Sequence, residues 1–181
     1  EAAALATGLL ANIDNIGVDT KGKTRSLIRE AYGKMGALGM EVNADSPMAP
    51  LLEIGLHLRL GDRERALEAY TENLKRFDEF VLELPSELVA FAADSHTTAG
   101  GEQNYDRAES ILRKWMVAHS ESEKFSDSEK AKMQLLLARN YDRAKRFEVA
   151  RSEYTTVVNR YPETEEAVEA RFGIGETQMA Q

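Results

Sequence analysis

Three alanines spaced 42 residues apart, Ala66, Ala108 and Ala150, constrain the fold of this chain more than any other feature of its sequence. Each alanine is followed four residues later by one apolar residue and eight residues later by another, which is the spacing of a single helix face. A small residue in such a face lets two helices approach closely, and larger residues beside it fill the interface. The register therefore predicts pairs of packed helices that recur along the chain. The residues at plus four are Tyr70, Leu112 and Tyr154, and those at plus eight are Leu74, Met116 and Val158.

The remaining sequence also favours helix. Ala, Leu, Glu, Lys and Arg dominate the composition, and no segment alternates between apolar and polar residues with the period of a strand. The four prolines stand at predicted helix entrances, and Ser126 through Glu129 has the pattern of a capping box. Nine helices are predicted, near residues 1–14, 24–41, 46–60, 62–80, 86–98, 104–119, 127–143, 146–160 and 164–180.

Two segments carry a resemblance to a known repeat family. The segment Gly61–Tyr70 resembles the second-helix signature of a tetratricopeptide repeat, and the segment Lys130–Pro162 resembles a complete repeat. The matching positions of the complete repeat are Leu137, Ala138 and Tyr141 in its first helix and Ala150, Tyr154 and Pro162 in and after its second.

The resemblance implies an all-α fold, a right-handed α-α superhelix of antiparallel helix hairpins, formed by residues 1–181 as one tetratricopeptide-like domain. Within it, residues 1–45 would form a divergent hairpin, residues 46–84, 85–126 and 127–162 three repeats, and residues 163–181 the unpaired helix of a further repeat. The observed spacing of 42 residues exceeds the family period of about 34 residues, so the expected array is irregular.

The final stretch, from Tyr161 to Gly175, is similar to repeats of bacterial outer-membrane assembly lipoproteins. This similarity favours a bacterial periplasmic or outer-membrane-associated location over the cytoplasm. The chain has no cysteine, which excludes disulfides and thiolate zinc sites but leaves the redox compartment open.

Composition and spacing argue against several classes of function. The formal net charge is −8 and no basic stripe of the kind that binds nucleic acid is evident. No apolar run approaches the roughly 20 residues of a membrane span. The sequence offers no nucleophile with a base and no paired carboxylates, and His57, His96 and His119 stand far apart, so we expect a chain that is not an enzyme and uses no cofactor or metal.

The resemblance also assigns partner-binding residues, because the family lines its concave groove with side chains from the first helix of each repeat. We therefore expect a scaffold that binds a peptide segment or a partner protein in this groove. Three of the assigned side chains are cationic, which favours an acidic ligand. The residues are Lys132, Leu135, Arg139, Asp142 and Arg143.

Two other interpretations remain open at this stage. The chain is alternatively the helical accessory domain of a larger enzyme, or a structural protein that associates with itself. An unpaired last helix would expose the apolar side chains of Phe172, Ile174 and Met179. Further sequence, a second copy or a neighbouring protein would then cover this face.

Overall fold

The computed structural model describes residues 49–59 and 61–180, and all of the regular secondary structure in these residues is helical. The predicted all-helical class is therefore confirmed. Three predictions fall wholly or partly outside the described residues. They are the helices near 1–14 and 24–41 and the first three residues of the helix at 46–60. The helices are α1 (Ala49–Arg59), α2 (Arg63–Glu72), α3 (Leu74–Phe80), α4 (Ser86–Ala99), α5 (Glu102–His119), α6 (Asp127–Arg143), α7 (Phe147–Arg160) and α8 (Glu165–Met179).

The chain forms two compact units, with the boundary between Glu79 and Phe80. In the first unit α1 packs against α2. In the second unit α4 packs against α5, α6 against α7, and α7 against α8. Helix α6 also contacts α4, α5 and α8, so it touches each of the other four helices of its unit.

The three alanines of the 42-residue register are all fully buried. The residues four positions later, Tyr70, Leu112 and Tyr154, are buried as well, while those at plus eight are half-buried. The repeated face predicted from the sequence is thus the packed face of α5 and α7, and in the first unit it holds for Ala66 and Tyr70 of α2, whereas Leu74 lies beyond the end of α2.

The predicted helix at 62–80 is wrong in one respect, because the structure divides it at Asn73 into α2 and α3. The backbone of Asn73 leaves the helical region, and its side-chain amide donates to the carbonyl oxygen of Ala69 at 2.8 Å. Asparagine competes in this way with the hydrogen bonds of a helix, which makes it a common terminator. Helix α3 then begins with a bond from the Phe77 amide to the Asn73 carbonyl oxygen at 2.8 Å.

The predicted capping box at the start of α6 is confirmed. The Ser126 hydroxyl accepts from the Glu129 amide at 3.2 Å, and the Glu129 carboxylate accepts from the Ser126 amide at 2.9 Å. The same carboxylate accepts a hydrogen bond from the hydroxyl of Ser86, the first residue of α4. Burial alone would raise the pKa of Glu129, but these hydrogen bonds from Ser86 and Ser126 hold it below the usual value. One carboxylate therefore caps α6 and joins it to α4.

Glycines in left-handed conformations form the turns between α1 and α2 and between α4 and α5. Gly61 follows α1 with a φ of 71°, and Gly100 and Gly101 join α4 to α5 with φ values of 72° and 86°. These left-handed conformations are accessible to glycine at little cost. Both connections fall in gaps between predicted helices, although the second is shorter than predicted because α5 already begins at Glu102.

A closer approach occurs at Gly173 in α8. A Cβ atom built on this glycine would lie 2.5 Å from the ring of Tyr154 on α7, which is well inside van der Waals contact. Only glycine at this position therefore lets α8 pack against the buried Tyr154 ring without displacing it. Two residues later in the same helix, Gly175 has open space at the corresponding position.

We expect the two glycines to respond oppositely to alanine. Gly173→Ala should lower the free energy of unfolding by about 1–3 kcal/mol, because the methyl group overpacks the contact with Tyr154. Gly175→Ala should leave it unchanged or raise it by about 0.5–1 kcal/mol through better helix propensity. Urea unfolding of both variants measures the difference, and equal effects of the two substitutions would argue against the close contact at Gly173.

Candidate partner-binding surface

Helix α6 is enclosed by its neighbours over most of its circumference. Beyond its first turn, where Asp127 and Ser128 are exposed, the most accessible side chains fall mainly on one line, with spacings of four, three and four that keep it on a single helix face. We call this line the α6 stripe, and it consists of Lys132, Leu136, Arg139 and Arg143. The buried residues around it are Ala131, Met133, Gln134, Leu135, Leu137, Ala138, Asn140 and Tyr141.

Three of the five residues assigned to partner binding from the sequence, Lys132, Arg139 and Arg143, are exposed on this stripe, and Asp142 is half-buried beside it. The assignment of Leu135 to the partner-binding surface is wrong, because its side chain is only 3% exposed and belongs to the core. Its place on the surface is taken by Leu136, which is half-buried. Steps of three and of four residues both return to one helix face, so spacing alone did not distinguish the two leucines.

The cations of the α6 stripe differ in how they are paired. The Arg139 guanidinium forms an ion pair with the Glu169 carboxylate of α8. Lys132 and Arg143 form no ion pair or hydrogen bond among the described residues, but the charge of Lys132 acts on Glu129 and the charge of Arg143 acts on Asp142. These two cations lie at the ends of the stripe, about 16 Å apart along the helix at a rise of about 1.5 Å per residue.

Acidic groups border the stripe at its C-terminal end. Burial and the nearby charge of Glu176 raise the pKa of Asp142, and the charge of Arg143 opposes that rise. Burial, together with the charge of Asp142, raises the pKa of Tyr154 to about 12. The Asp142 and Glu176 carboxylates thus lie close enough to interact at the C-terminal end of the stripe, which makes this end more acidic than the stripe itself.

The position of α6 is fixed by a buried amide one residue after Arg139. Asn140 is 1% exposed, and its side-chain NH₂ donates to the Tyr105 carbonyl oxygen of α5 at 2.9 Å. Its side-chain oxygen accepts from the Thr97 hydroxyl of α4 at 2.9 Å. Because a buried polar group is costly when it lacks partners, this pair of bonds holds α6 in one register against two helices.

A second polar network joins α6 to α5 and α7. The Arg113 guanidinium of α5 donates to the Tyr141 hydroxyl at 2.8 Å, to Glu153 of α7 at 3.2 Å and to Glu109 at 2.9 Å. Gln134 of α6 also donates to Glu153. Burial alone would raise the pKa of Glu109, but hydrogen bonds with Tyr141 and Arg113 hold it below the usual value. Helices α5, α6 and α7 are thus tied through one tyrosine hydroxyl and one guanidinium.

Tryptophan forms part of a separate aromatic cluster at the C-terminal end of α5. The Trp115 ring is fully buried and lies 4.6 Å from the Phe125 ring and 4.8 Å from the His119 ring, measured between centroids. Phe125 comes from the loop between α5 and α6, so this cluster folds the loop onto the core. Trp115 is therefore part of the core.

The histidines occupy three separate environments. His57 is buried in α1, His96 lies 2.9 Å from the Asn104 side-chain oxygen, and His119 lies 2.9 Å from the Leu82 carbonyl oxygen. Among the described residues, no three acidic, histidine or cysteine side chains converge in a way that would hold a metal ion. Within the same residues, none of the helices combines the length and the apolar character that crossing a membrane requires.

Neither a protein-family model nor a curated protein matches this sequence. The resemblance to tetratricopeptide repeats therefore depends on the residues that carry it.

Replacement of Asn140 by leucine tests the buried amide. The substitution leaves the Thr97 hydroxyl and the Tyr105 carbonyl without this partner, and we expect the free energy of unfolding to fall by about 1–3 kcal/mol. Asn159→Leu is the matched control, since Asn159 is exposed on α7 and its replacement should change stability by less than about 0.5 kcal/mol.

The coupling with Thr97 can be measured in the same experiment. Thr97→Val combined with Asn140→Leu should cost less than the sum of the two single substitutions, because both remove the same hydrogen bond. Strict additivity, or an Asn140→Leu variant as stable as the control, would show that the bond does not hold α6 in place.

Proposed function

We propose that this chain is a tetratricopeptide-like binding module without catalytic activity, and that its α6 stripe binds an acidic peptide segment of a partner protein. The observation that carries the proposal is the exposure of one cationic line on a helix whose other side chains, beyond the first turn, are buried or half-buried. Helix α6 presents Lys132 and Arg143 to solvent without ion-pair partners in the described part of the chain, although the chain as a whole carries a net charge of −8.

The order of helix packing in the second unit supports the repeat architecture. Helices α4 and α5 form one packed pair, and α6 and α7 form another. In addition, α4 contacts α6, and α6 contacts α8. In a right-handed superhelix of antiparallel hairpins, first helices stack on first helices in this way and line one surface. The α6 stripe lies on such a first helix, which is where the family places its ligand groove.

The rigidity of α6 supports a binding role for its exposed side chains. Asn140 joins the helix to α4 and α5, and Tyr141 joins it through Arg113 to α5 and α7. The backbone beneath the stripe is therefore ordered before any ligand arrives, so a peptide that binds does not incur the cost of ordering it.

The spacing of the cations sets the form of the ligand. An extended peptide advances about 3.3 Å per residue, so two carboxylates about five residues apart would reach Lys132 and Arg143 together. Leu136 lies about 6 Å beyond Lys132 along the helix, at a rise of about 1.5 Å per residue, and would contact an apolar side chain two residues after the first carboxylate. Arg139 is already neutralised by Glu169 and contributes less.

Binding of a labelled synthetic peptide tests this function directly. The probe carries glutamate at its first and sixth positions and leucine at its third, and its affinity is measured by fluorescence anisotropy. We expect Lys132→Glu combined with Arg143→Glu to weaken binding at least about tenfold, because each attraction becomes a repulsion. Affinity should also fall as salt is added, since exposed charges are screened.

The control must change the net charge by the same amount elsewhere. Lys75 and Lys114 are exposed on α3 and α5, so Lys75→Glu combined with Lys114→Glu serves this purpose. The control variant should bind the acidic peptide within about twofold of the parent chain. If both double variants lose affinity equally, the effect comes from net charge and the α6 stripe is not the binding site.

A further inference from the structure

A second accessible line of side chains lies on α8, and it is apolar. Phe172 is 72% exposed and Met179 is 83% exposed, and Val168 is also largely accessible. Together with Gly175 these residues are spaced by four, three and four, which places them along one face of the helix. We call this line the α8 face. Exposed apolar side chains in a contiguous row are typical of a surface that another protein covers.

The α8 face differs from the face that the second unit already uses. Helix α8 buries Ala167, Ala170, Gly173 and Thr177 against α6 and α7. The α8 face lies on the opposite side of the helix from these buried residues, so it is not used in packing within the second unit.

Gly175 makes the α8 face suited to close contact with a second helix. It lies between Phe172 and Met179 on the α8 face, and the space around its Cα is open. A small residue flanked by large ones is the arrangement that lets a second helix cross closely, and the same arrangement occurs where Tyr154 of α7 meets Gly173.

Charge distinguishes the two edges of the α8 face. Glu165, Glu169 and Glu176 follow one edge, whereas the other carries Arg171 and Gln178. Glu169 is paired with Arg139, but Glu165 and Glu176 have no ion-pair partner among the described residues. A helix that covers this face would therefore bind more tightly if it carried lysine or arginine opposite the acidic edge.

We propose that the α8 face docks an amphipathic α-helix of a partner protein, with an apolar face opposite Phe172 and Met179 and basic residues opposite Glu165 and Glu176. A second copy of this chain is a poorer match, because the chain carries a net charge of −8. In an antiparallel two-fold pair of α8 helices, moreover, the acidic edges of the two copies would lie side by side.

A pair of designed peptides tests the inference. Both are helical and carry the same leucine and alanine face, but one has lysine and the other glutamate along the edges. Anisotropy with the 181-residue chain should show at least about tenfold tighter binding of the lysine peptide. Phe172→Ser combined with Met179→Ser should weaken that binding at least about tenfold. Val117→Ser is the matched control, since Val117 is 81% exposed on α5 and its replacement should leave affinity unchanged.

Reversal of the acidic edge provides a second variant that does not alter the apolar face. Glu165→Lys combined with Glu176→Lys should shift the preference toward the glutamate peptide. The inference is overturned if both peptides bind equally or if Phe172→Ser with Met179→Ser binds like the parent chain. It is also overturned if sedimentation shows a dimer that this double variant abolishes, because a second copy is then the occupant. Lys132→Glu with Arg143→Glu should not weaken binding of the lysine peptide, which keeps this result separate from the one for the α6 stripe.

Discussion

The described part of the second unit depends on one buried amide. Asn140 has almost no contact with solvent, so its side chain must find its hydrogen bonds within the protein. It finds them on the Tyr105 carbonyl oxygen and the Thr97 hydroxyl, which belong to two different helices. Rotation or sliding of α6 would break both bonds, and the cost of an unpaired buried group makes such movements unfavourable. The neighbouring residues Arg139 and Tyr141 are thereby fixed as well.

Small residues set the rest of the packing. The buried alanines Ala108 and Ala150 lie on the faces that α5 and α7 turn toward the core, and Gly173 lets α8 rest on the Tyr154 ring. Large side chains at neighbouring positions then fill the remaining space, as close-packed interiors require. Since α6 touches every other helix of this unit, its exposed stripe is a consequence of how the others surround it.

The features that follow from local chemistry were predictable from the sequence. The capping box at Ser126, the turns at Gly61 and Gly100, and the buried alanine register all depend on residues close together in the chain or on one helix face. The break at Asn73 was missed because the periodic apolar pattern continues across it and one asparagine is a weak signal beside that pattern.

The features that depend on tertiary packing were not predictable in the same way. Leu135 and Leu136 are equivalent by spacing, and only the helices around α6 decide which is buried. The ion pair between Arg139 and Glu169 joins residues 30 positions apart, and no local pattern indicates it. The burial of Asn140 follows from its contacts with α4 and α5, which no local pattern indicates.

Native-state hydrogen exchange of the α6 amides tests most directly whether this helix is the fixed centre of its unit. Opening α6 disrupts contacts with four helices, so its central amides should exchange only when residues 80–180 unfold together. We expect the exchange free energies of Leu137, Ala138 and Asn140 to equal the free energy of unfolding of this unit. Exchange of these amides through a local opening of much lower free energy, while α5 and α7 remain protected, would contradict this expectation.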